Sequence, residues 1–380
     1  MMSYIQDHLT KEDFINKFES KYQQIVRATL TSYESFCQSK FGFNGDKVLQ
    51  DLVEDHKQTH NIDKVYTLFN HYVQFLQEDH PEIMVYWRFK SRPFKKKHPS
   101  TTSNYVKCLR YYFEDCGNFE FNLRKLKSRI RLPKIPKEDL EPLTHEEIRE
   151  LCDIATHGRK TIYMVLKDSG MRIGECMSLR KKDVELTKEP IEIHLPATIT
   201  KTKKSRITFV TRETAPMFKR IVVSIKDDEG LIFGSSYNIE RSIQNEEQIF
   251  QRFRSKLGKS NPKWIERYDH NNRFKKNIHS LRAFTATQGE AAVDEAWGHA
   301  LIGHSKQLGQ YIRNKDTFVQ KYLRTEPKLM IYEKEVVVEN RDSEIELLKK
   351  QVNRLIRETV QQKEQFEARN RFLEAKLLEN

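Results

Sequence analysis

Apolar and aromatic side chains recur at helical spacing along the first 80 residues of the chain, between polar and charged positions. The two clearest series are Phe14, Phe18, Tyr22 and Ile25, and then Tyr66, Phe69, Tyr72, Val73 and Leu76. A recurrence every three or four residues predicts amphipathic helices that bury one face. We therefore interpret these residues as the core of a helical amino-terminal domain rather than as platforms on which bases stack.

The pattern changes in the stretch RFKSRPFKKKHPS, which carries six Lys and Arg residues between positions 88 and 97 and no acidic residue. A helix is predicted to follow from Thr102, with Ser100 or Thr101 as its N-cap. Short hydroxyl side chains suit that position because they accept hydrogen bonds from the free N–H groups of the first turn.

A second basic stretch, RKLKSRIRLPKIPK, occupies residues 124–137 and contains seven Lys and Arg residues, no acid and two prolines. Proline disfavours helical backbone at the residue before it, so the stretch is predicted to be extended and to link two domains. A basic strap is also what a chain needs to close around a duplex and neutralise phosphates. The alternative is a solvated run of charge without a partner.

The next segment opens with PLTHEEIRELCDIA, in which Thr144 precedes Glu147 by three residues. This spacing predicts a capping box at the start of an amphipathic helix. Apolar and polar residues then alternate through IEIHLPATITKTKKSRITFVT on both sides of a basic turn, which predicts a small antiparallel hairpin. Helical patterning returns after the hairpin and continues to about residue 332.

The carboxy-terminal segment has a heptad pattern of its own. Positions a and d hold Ile345, Leu348, Val352 and Leu355, and position a continues with Phe366 and Leu373. Polar residues at Thr359, Gln362 and Arg369 interrupt the seam. The pattern predicts a coiled-coil helix, with a lone charged helix as the alternative.

These patterns predict a mainly α fold with a small antiparallel β-sheet, divided into four parts. The parts are a helical domain over residues 1–123, a basic linker over 124–139, a second domain over 140–335 and a C-terminal helix over 338–380.

Composition adds a prediction about the partner. The 380 residues include 67 Lys and Arg against 54 Asp and Glu, a formal net charge of +13. An excess of this sign favours a polyanionic partner, although a soluble basic surface explains it equally well. The five cysteines show no close pair with metal-ligand spacing, and no leader or apolar span is apparent, so we expect a soluble protein in a reducing, intracellular compartment.

Candidate chemistry begins with the motif SGMRIGECMSL. Gly170 permits a close backbone approach just before Arg172, and a rigidly held arginine is a bidentate phosphate donor. A buried Arg–Glu pair would use similar residues. In the hairpin turn, Lys201 precedes Lys203, Lys204 and Arg206, and a lysine among cations can serve as a proton donor. The alternative is a basic turn that touches a polyanion without chemistry.

Further along, His279 and Arg282 are three residues apart and share a face of a helix. His304 follows in the motif LIGHS, and Tyr311 stands seven residues after it. His299, in WGHA, is a weaker match and is interpreted as a residue that supports the fold.

The ordered set of Arg172, Lys201, His279 with Arg282, His304 and Tyr311 resembles that of the tyrosine recombinases and integrases, the Xer, Cre and phage integrase class. The resemblance covers residues 140–330 and implies a helical core-binding domain, followed by a domain that breaks and rejoins DNA. It implies a site-specific recombinase that forms a 3′-phosphotyrosyl intermediate and needs neither metal nor other cofactor. The heptads of the tail are not part of the usual family pattern.

The resemblance also implies roles for the residues. Arg172, Arg282 and His304 would stabilise charge on the phosphate, Lys201 would protonate the leaving oxygen, and His279 would assist the tyrosine. Tyr311 is somewhat closer to His304 than is usual in the family, whereas Tyr322 is too far unless a loop intervenes, so Tyr311 is the predicted nucleophile.

The expected partners are double-stranded DNA and further copies of the chain, as a tetramer on paired sites, in the cytoplasm or nucleoid and not at a membrane. The predicted DNA-binding residues are Arg92, Lys95, Lys96, Lys97, Arg124, Lys125, Lys127, Arg129, Arg131, Lys203, Lys204 and Arg206. Two alternatives remain at this point: a DNA-binding protein that retains the fold without the catalysis, and a relaxing enzyme of the type IB topoisomerase class.

Overall fold

The computed structural model describes residues 9–87, 90–135, 140–235, 238–269, 271–304 and 315–332. The chain divides into two compact units, Met1–Glu138 and Asp139–Asn380. Tyr311 and the predicted coiled coil at 338–380 lie outside the described residues. Within the described ranges, no helix is both long and apolar enough to cross a membrane.

The first unit consists of six helices and one hairpin among its described residues. These are α1 (Lys11–Asn16), α2 (Ser20–Phe41), α3 (Gly45–Thr59), α4 (Asp63–Gln77), β1 (His80–Trp87), β2 (Lys90–Phe94), α5 (Pro99–Gly117) and α6 (Leu123–Arg129).

The core of this unit is aromatic, as the sequence predicted for Phe14, Phe69 and Tyr72, which are fully buried. Tyr22 and Ile25 are exposed instead, so their prediction as core residues is wrong. A break between α1 and α2 shifts the helical phase, and the series that begins at Val26 faces the core. The interior packs edge to face, as between Tyr33 and Phe113, whose ring centroids are 5.8 Å apart.

Two local predictions for this unit need correction, and one element was not predicted. The antiparallel pair β1–β2 was not anticipated. Helix α5 begins at Pro99 rather than Thr102, with His98 as its N-cap, because proline is pre-organised for the first helical position. Residues 124–129 are helical rather than extended: Asn122 caps α6 by accepting hydrogen bonds from the main-chain N–H groups of Arg124 and Lys125.

The second unit is helical around a three-stranded antiparallel sheet of order β3–β4–β5. Its elements are α7 (His145–Asp153), α8 (His157–Ser169), α9 (Ile173–Met177), β3 (Val184–Glu185), β4 (Ile191–Leu195), β5 (Arg206–Val210), α10 (Ala215–Ser224), α11 (Ile239–Leu257), α12 (His279–Ala292), α13 (Glu295–Leu301) and α14 (Lys315–Leu329).

Two predictions for this unit are confirmed. Thr144 and Glu147 form the reciprocal hydrogen bonds of a capping box at the start of α7. Strands β4 and β5 form the predicted hairpin, with Ile191 opposite Val210 and Leu195 opposite Arg206. The fold class is therefore mainly α with small antiparallel sheets, as the sequence predicted.

A buried ionic cluster attaches the end of α14 to the core of the second unit. Lys167 forms ion pairs with Asp168 and Glu213, and its Nζ donates a hydrogen bond to the carbonyl of Leu329 at 2.8 Å. Glu213 in turn accepts a hydrogen bond from the main-chain N–H of Ile331 at 3.1 Å. Helix α14, which follows residues 305–314, is thereby fixed to the same core as α12 and α13.

Candidate active site

Arg172 is positioned by a tight turn between two helices. Helix α8 ends at Ser169, and Gly170 adopts left-handed backbone with φ of 60°. A side chain there would be strained, and its Cβ would lie 2.9 Å from the Cγ2 of Ile302. Glycine therefore lets the segment before Arg172 pass close to the chain that carries His304.

Glu175 holds two arginines at once. Its carboxylate accepts hydrogen bonds from the main-chain N–H of Arg172 at 2.9 Å and from the Nη1 of Arg172 at 3.0 Å. The guanidinium of Arg206 donates to both oxygens of the same carboxylate, at 3.1 and 2.7 Å. This bidentate geometry is the strongest form of an arginine–carboxylate pair. The carboxylate of Glu175 thus fixes the directions of both guanidinium groups.

Arg206 is 4% exposed, so its predicted role as a surface contact to DNA is wrong. It is the first residue of β5, and the alternation of that strand directs its side chain inward to Glu175. Gly303 lies against it: a Cβ at Gly303 would be 2.7 Å from the Cδ of Arg206. Arg206 therefore lies between Glu175 and the loop that ends at His304.

Arg282 projects from the first turn of α12 and is 8% exposed. Its guanidinium donates hydrogen bonds to the carbonyls of Gly170 and Ile302. Two loops distant in sequence are thus joined by one side chain. Burial, followed by the positive charges of Arg172 and Arg206, lowers the pKa of Arg282 to about 9. The site accordingly holds positive charge that its own carboxylate does not fully balance.

His279 begins α12, with its main-chain N–H bonded to the side-chain oxygen of Asn277 at 2.9 Å. Although the residue as a whole is exposed, partial removal of the imidazole from water lowers its pKa, and the charges of Arg282, Arg172 and Lys201 lower it further. Lys201 lies exposed in the turn between β4 and β5. That turn is fixed by the hydroxyl of Thr200, which accepts a hydrogen bond from the main-chain N–H of Lys204 at 3.1 Å.

His304 follows α13 through Gly303, whose φ is 77°. Burial, then the charges of Arg282, His299, Arg172 and Arg206, lowers the pKa of His304. The structure therefore places Arg172, Arg282, His304, His279 and Lys201 close enough for their charges to act on the two imidazoles. A cluster of this kind can bind a phosphodiester and stabilise the charge that develops on its oxygens during substitution.

Two described tyrosines, Tyr322 and Tyr332, follow His304 in the chain, and their environments differ. Tyr322 is fully buried, with its hydroxyl 3.4 Å from the carbonyl of Asp168 and its ring packed on Phe209. Burial raises the pKa of Tyr322, and Asp168 and Glu326 raise it further, so this residue is unsuited to nucleophilic attack. Tyr332 donates a hydrogen bond to Asp153 at 3.0 Å. Tyr311, the predicted nucleophile, lies outside the described residues.

The other predicted DNA-binding residues lie at the surface or half-buried. Arg92, Lys95 and Lys96 are exposed on and after β2, and Lys97 lies over the ring of Phe94, with its Nζ 4.3 Å from the centroid. Arg129 on α6 forms an ion pair with Asp63. The remaining exposed members of the set are Arg124, Lys125, Lys127, Arg131, Lys203 and Lys204.

Within the described residues, no three His, Cys, Asp or Glu side chains are grouped so that they could hold a metal ion. Sequence patterns did not predict the role of Glu175, and they placed Arg206 among the DNA-binding residues. The sequence signal for the role of Glu175 was its position three residues after Arg172, because a carboxylate at that spacing caps the start of a helix.

The cluster of basic side chains lies where α9, the β4–β5 hairpin, α12 and α13 meet. Residues 141–316 match the model of the phage integrase family. The match covers 176 of the 380 residues, and over them the chain is similar to the phage integrase family.

Named relatives include tyrosine recombinase XerA of Thermococcus kodakarensis, 26% identical over 235 residues, which are 60% of this chain and 75% of that protein. Tyrosine recombinase XerA of Thermococcus onnurineus is 32% identical over 89 residues, 23% of this chain and 30% of that protein. A crystal structure of XerA recombinase aligns with a TM-score of 0.33 at 18% identity, covering 73% of this chain and 92% of that one.

The central role of Glu175 predicts a pH-dependent loss of stability in Glu175→Gln. Burial by itself raises the pKa of Glu175, but hydrogen bonds and charge from Arg206, with the main-chain N–H of Arg172, outweigh it and lower the pKa. A depressed folded-state pKa contributes stability above the unfolded pKa, and that contribution is lost as pH falls through the folded value. Glu175→Gln should therefore cost about 2 to 4 kcal/mol at neutral pH and much less in acid.

The measurement is urea unfolding followed by tryptophan fluorescence, at neutral pH and in steps down to about pH 2, below the lowered pKa of Glu175. Glu185→Gln is the control, because this carboxyl on β3 lies at the surface and its pKa is lowered mainly by Thr187. The control should change stability little at any pH. Equal losses for Glu175→Gln at every pH would show that the carboxylate charge is not what holds the two arginines.

Proposed function

We propose that this chain is a site-specific DNA recombinase that breaks and rejoins strands through a covalent 3′-phosphotyrosyl intermediate. The observation that carries the proposal is the grouping of Arg172, Arg206 and Arg282 around the single carboxylate of Glu175, within the segment that matches the phage integrase family. Buried guanidinium groups whose positive charge is incompletely balanced stabilise a ligand most strongly when its negative charge rises in the transition state.

Arg172 and Arg282 are the proposed phosphate clamps. Glu175 fixes the direction of Arg172, and two main-chain carbonyls fix the direction of Arg282, so neither guanidinium must reorganise when charge develops. His304 supplies a further donor to the same oxygens. Fixed donors of this kind contribute more than mobile ones because their orientation is established before the reaction.

In the proposed first step, the hydroxyl oxygen of Tyr311 forms a bond to phosphorus as the bond between phosphorus and the 5′ oxygen breaks. The tyrosine proton leaves with help from His279, whose lowered pKa keeps it neutral and able to accept. Lys201 gives a proton to the departing 5′ oxygen. Attack by a different 5′ hydroxyl reverses these bonds and joins new strands, so no metal or nucleotide cofactor is required by the proposal.

Double-stranded DNA is the proposed partner. The net charge of +13 and the exposed basic residues of β2, α6 and the β4–β5 turn would supply phosphate contacts that do not depend on base sequence. Two duplexes must be handled together in recombination, and we propose a homotetramer on paired sites. The heptads that begin at Ile345 would help to hold the protomers together.

The nucleophile is tested by Tyr311→Phe, with Tyr322→Phe as its matched control. A suicide substrate, nicked so that the released strand end diffuses away, traps the covalent adduct on a denaturing gel. Tyr311→Phe should form no adduct yet bind DNA with near-normal affinity, because only the reacting oxygen is removed. Tyr322→Phe should still form the adduct, since Tyr322 is buried against Asp168.

The opposite pattern, adduct with Tyr311→Phe and none with a stably folded Tyr322→Phe, would contradict the assignment. Absence of an adduct in the wild-type protein on every substrate would favour a DNA-binding protein without catalysis. Relaxation of plasmids that share no particular site would favour a topoisomerase.

The role of Lys201 as the general acid is tested with a substrate in which sulfur replaces the 5′-bridging oxygen. Sulfur leaves as a thiolate and needs no proton, so this substrate should restore cleavage by Lys201→Ala to within about tenfold of wild type. It should not restore Arg172→Ala, whose defect lies in charge stabilisation. Lys203→Ala is the neighbouring control and should need no rescue. Rescue of Lys203→Ala alone would transfer the role to Lys203.

Removal of residues 341–380 tests the proposed assembly. Single-site cleavage should persist, because every proposed catalytic residue precedes the deletion, whereas recombination between two sites should fall at least about tenfold. Analytical ultracentrifugation with DNA and a two-site recombination assay provide the measurements. A truncated protein that assembles and recombines normally would show that the heptads serve another partner.

A further inference from the structure

Strand β5 contacts the chain on both sides of Arg172. Three residues after Arg172, the carboxylate of Glu175 accepts hydrogen bonds from the guanidinium of Arg206, the first residue of β5. Three residues before Arg172, the carbonyl of Ser169 accepts a hydrogen bond from the hydroxyl of Thr208 at 2.8 Å. Arg206 and Thr208 are two positions apart, so they project from the same face of the strand. One face of β5 thus holds both ends of the turn that presents Arg172.

Thr208 is a polar residue at a position that would also suit an apolar one. It is fully buried in the middle of β5, opposite Ile193 of β4. Burial of a hydroxyl costs free energy unless the hydroxyl is hydrogen-bonded. Valine would fill nearly the same space without that cost, so packing by itself does not require a hydroxyl here. The hydrogen bond to Ser169 is what distinguishes threonine from valine at this position.

The carbonyl of Ser169 needs a donor because of where it lies. The last four carbonyls of an α-helix have no partner within the helix, and Ser169 is the last residue of α8. Ser169 is fully buried, so bulk water cannot supply the missing donor. Loss of the Thr208 hydroxyl would leave this carbonyl unpaired, at a cost that favours a shift of the chain towards another donor.

Other carbonyls of the same helix end are held from a different element. Two of them accept hydrogen bonds from Thr285 and Arg282, both on α12. These two donors fix the end of α8 to the helix that begins with His279. Thr208 supplies the corresponding link to the β4–β5 hairpin, whose turn contains Lys201. The end of α8 is thereby attached to both elements that carry the groups proposed to transfer protons.

We propose that Thr208 is a positioning residue, which holds the turn between α8 and α9 so that the guanidinium of Arg172 keeps a fixed direction relative to the hairpin that carries Lys201. Thr208 is fully buried and acts through the carbonyl of Ser169 rather than on the substrate. The catalytic consequence rests on the proposed function, whereas the effect on the direction of Arg172 does not.

Two substitutions at Thr208 separate the hydrogen bond from packing. Thr208→Val removes the donor and keeps the shape, whereas Thr208→Ser keeps the hydroxyl and removes a methyl group. Thr161→Val is the matched control, because Thr161 is a fully buried threonine whose hydroxyl donates within α8, to the carbonyl of His157 at 3.0 Å. The control loses a buried hydrogen bond of the same kind without touching the turn that presents Arg172.

Single-turnover cleavage of a suicide substrate is measured with saturating protein, at a temperature where urea unfolding shows each variant to be folded. The rate should fall about 10- to 100-fold in Thr208→Val and by less than about threefold in Thr208→Ser and Thr161→Val. The dissociation constant for DNA should change by less than about threefold in all three, because the exposed phosphate contacts remain. In the background of Arg172→Ala, Thr208→Val should cause no further loss, since its effect passes through that arginine.

The direction of Arg172 is followed without DNA in nitrogen-15 spectra of the full-length protein labelled at arginine, with Arg172→Lys identifying the Nε–H signal. This signal should shift or broaden in Thr208→Val and stay in place in Thr208→Ser and Thr161→Val. Thr208→Cys, a weaker donor of similar size, should show the same change and takes the place of Thr208→Val if that variant does not fold.

An unmoved Arg172 signal in the folded donor-deficient variant, or an equal change in Thr161→Val, would overturn the inference. So would a wild-type cleavage rate in that donor-deficient variant. Absence of cleavage in the wild-type protein itself would count against the proposed function alone, and the spectra would still decide the role of Thr208.

Discussion

The site depends on one buried carboxylate that holds arginines together against their mutual repulsion. Like charges in a low-dielectric interior repel strongly, and a guanidinium cannot escape by losing its proton at ordinary pH. Glu175 binds Arg172 and Arg206 and draws them onto one surface. Because it carries a single negative charge, the surroundings of Arg282 stay positive. The site thus keeps an excess of positive charge that a bound phosphate can neutralise.

Backbone geometry determines whether those charges can meet at all. Gly170 and Gly303 both adopt left-handed conformations, and each lies where an added Cβ would meet a side chain from another element. Arg282 then binds the carbonyls beside these turns and closes the arrangement. The turns at Gly170 and Gly303 are thus joined through the guanidinium of Arg282. A substitution at any of these three residues is therefore expected to alter the positions of the other two.

The positive charges of the site also affect the protonation of two histidines, His279 and His304. An excess of cations favours neutral imidazoles, and a neutral imidazole has one donor and one acceptor whose places can exchange. His279 and His304 are both in this situation. For His304 the neighbouring His299 offers a partner for one nitrogen, which leaves the other for a ligand.

The sequence by itself determined the elements whose signals are local. Helical periodicity predicted the aromatic core around Phe69 and Tyr72, the spacing of Thr144 and Glu147 predicted a capping box, and alternation predicted the β4–β5 hairpin. The order of the charged motifs indicated the resemblance to the tyrosine recombinases, because the order of residues along the chain does not depend on how the chain packs. Periodicity failed at Tyr22, where a break between two helices reset the phase.

Tertiary structure decided which charged residues face inward and which pair. Arg206 belongs to a basic turn in sequence, yet the register of β5 turns it to Glu175, 31 residues earlier, at 2.7 Å. His299 meets His304 in the same way, since the turn at Gly303 brings the two rings together. Such contacts join residues through strand register and loop geometry, and neither is written in local composition. The physical reason is that the free energy of a buried charge depends on partners supplied by distant segments.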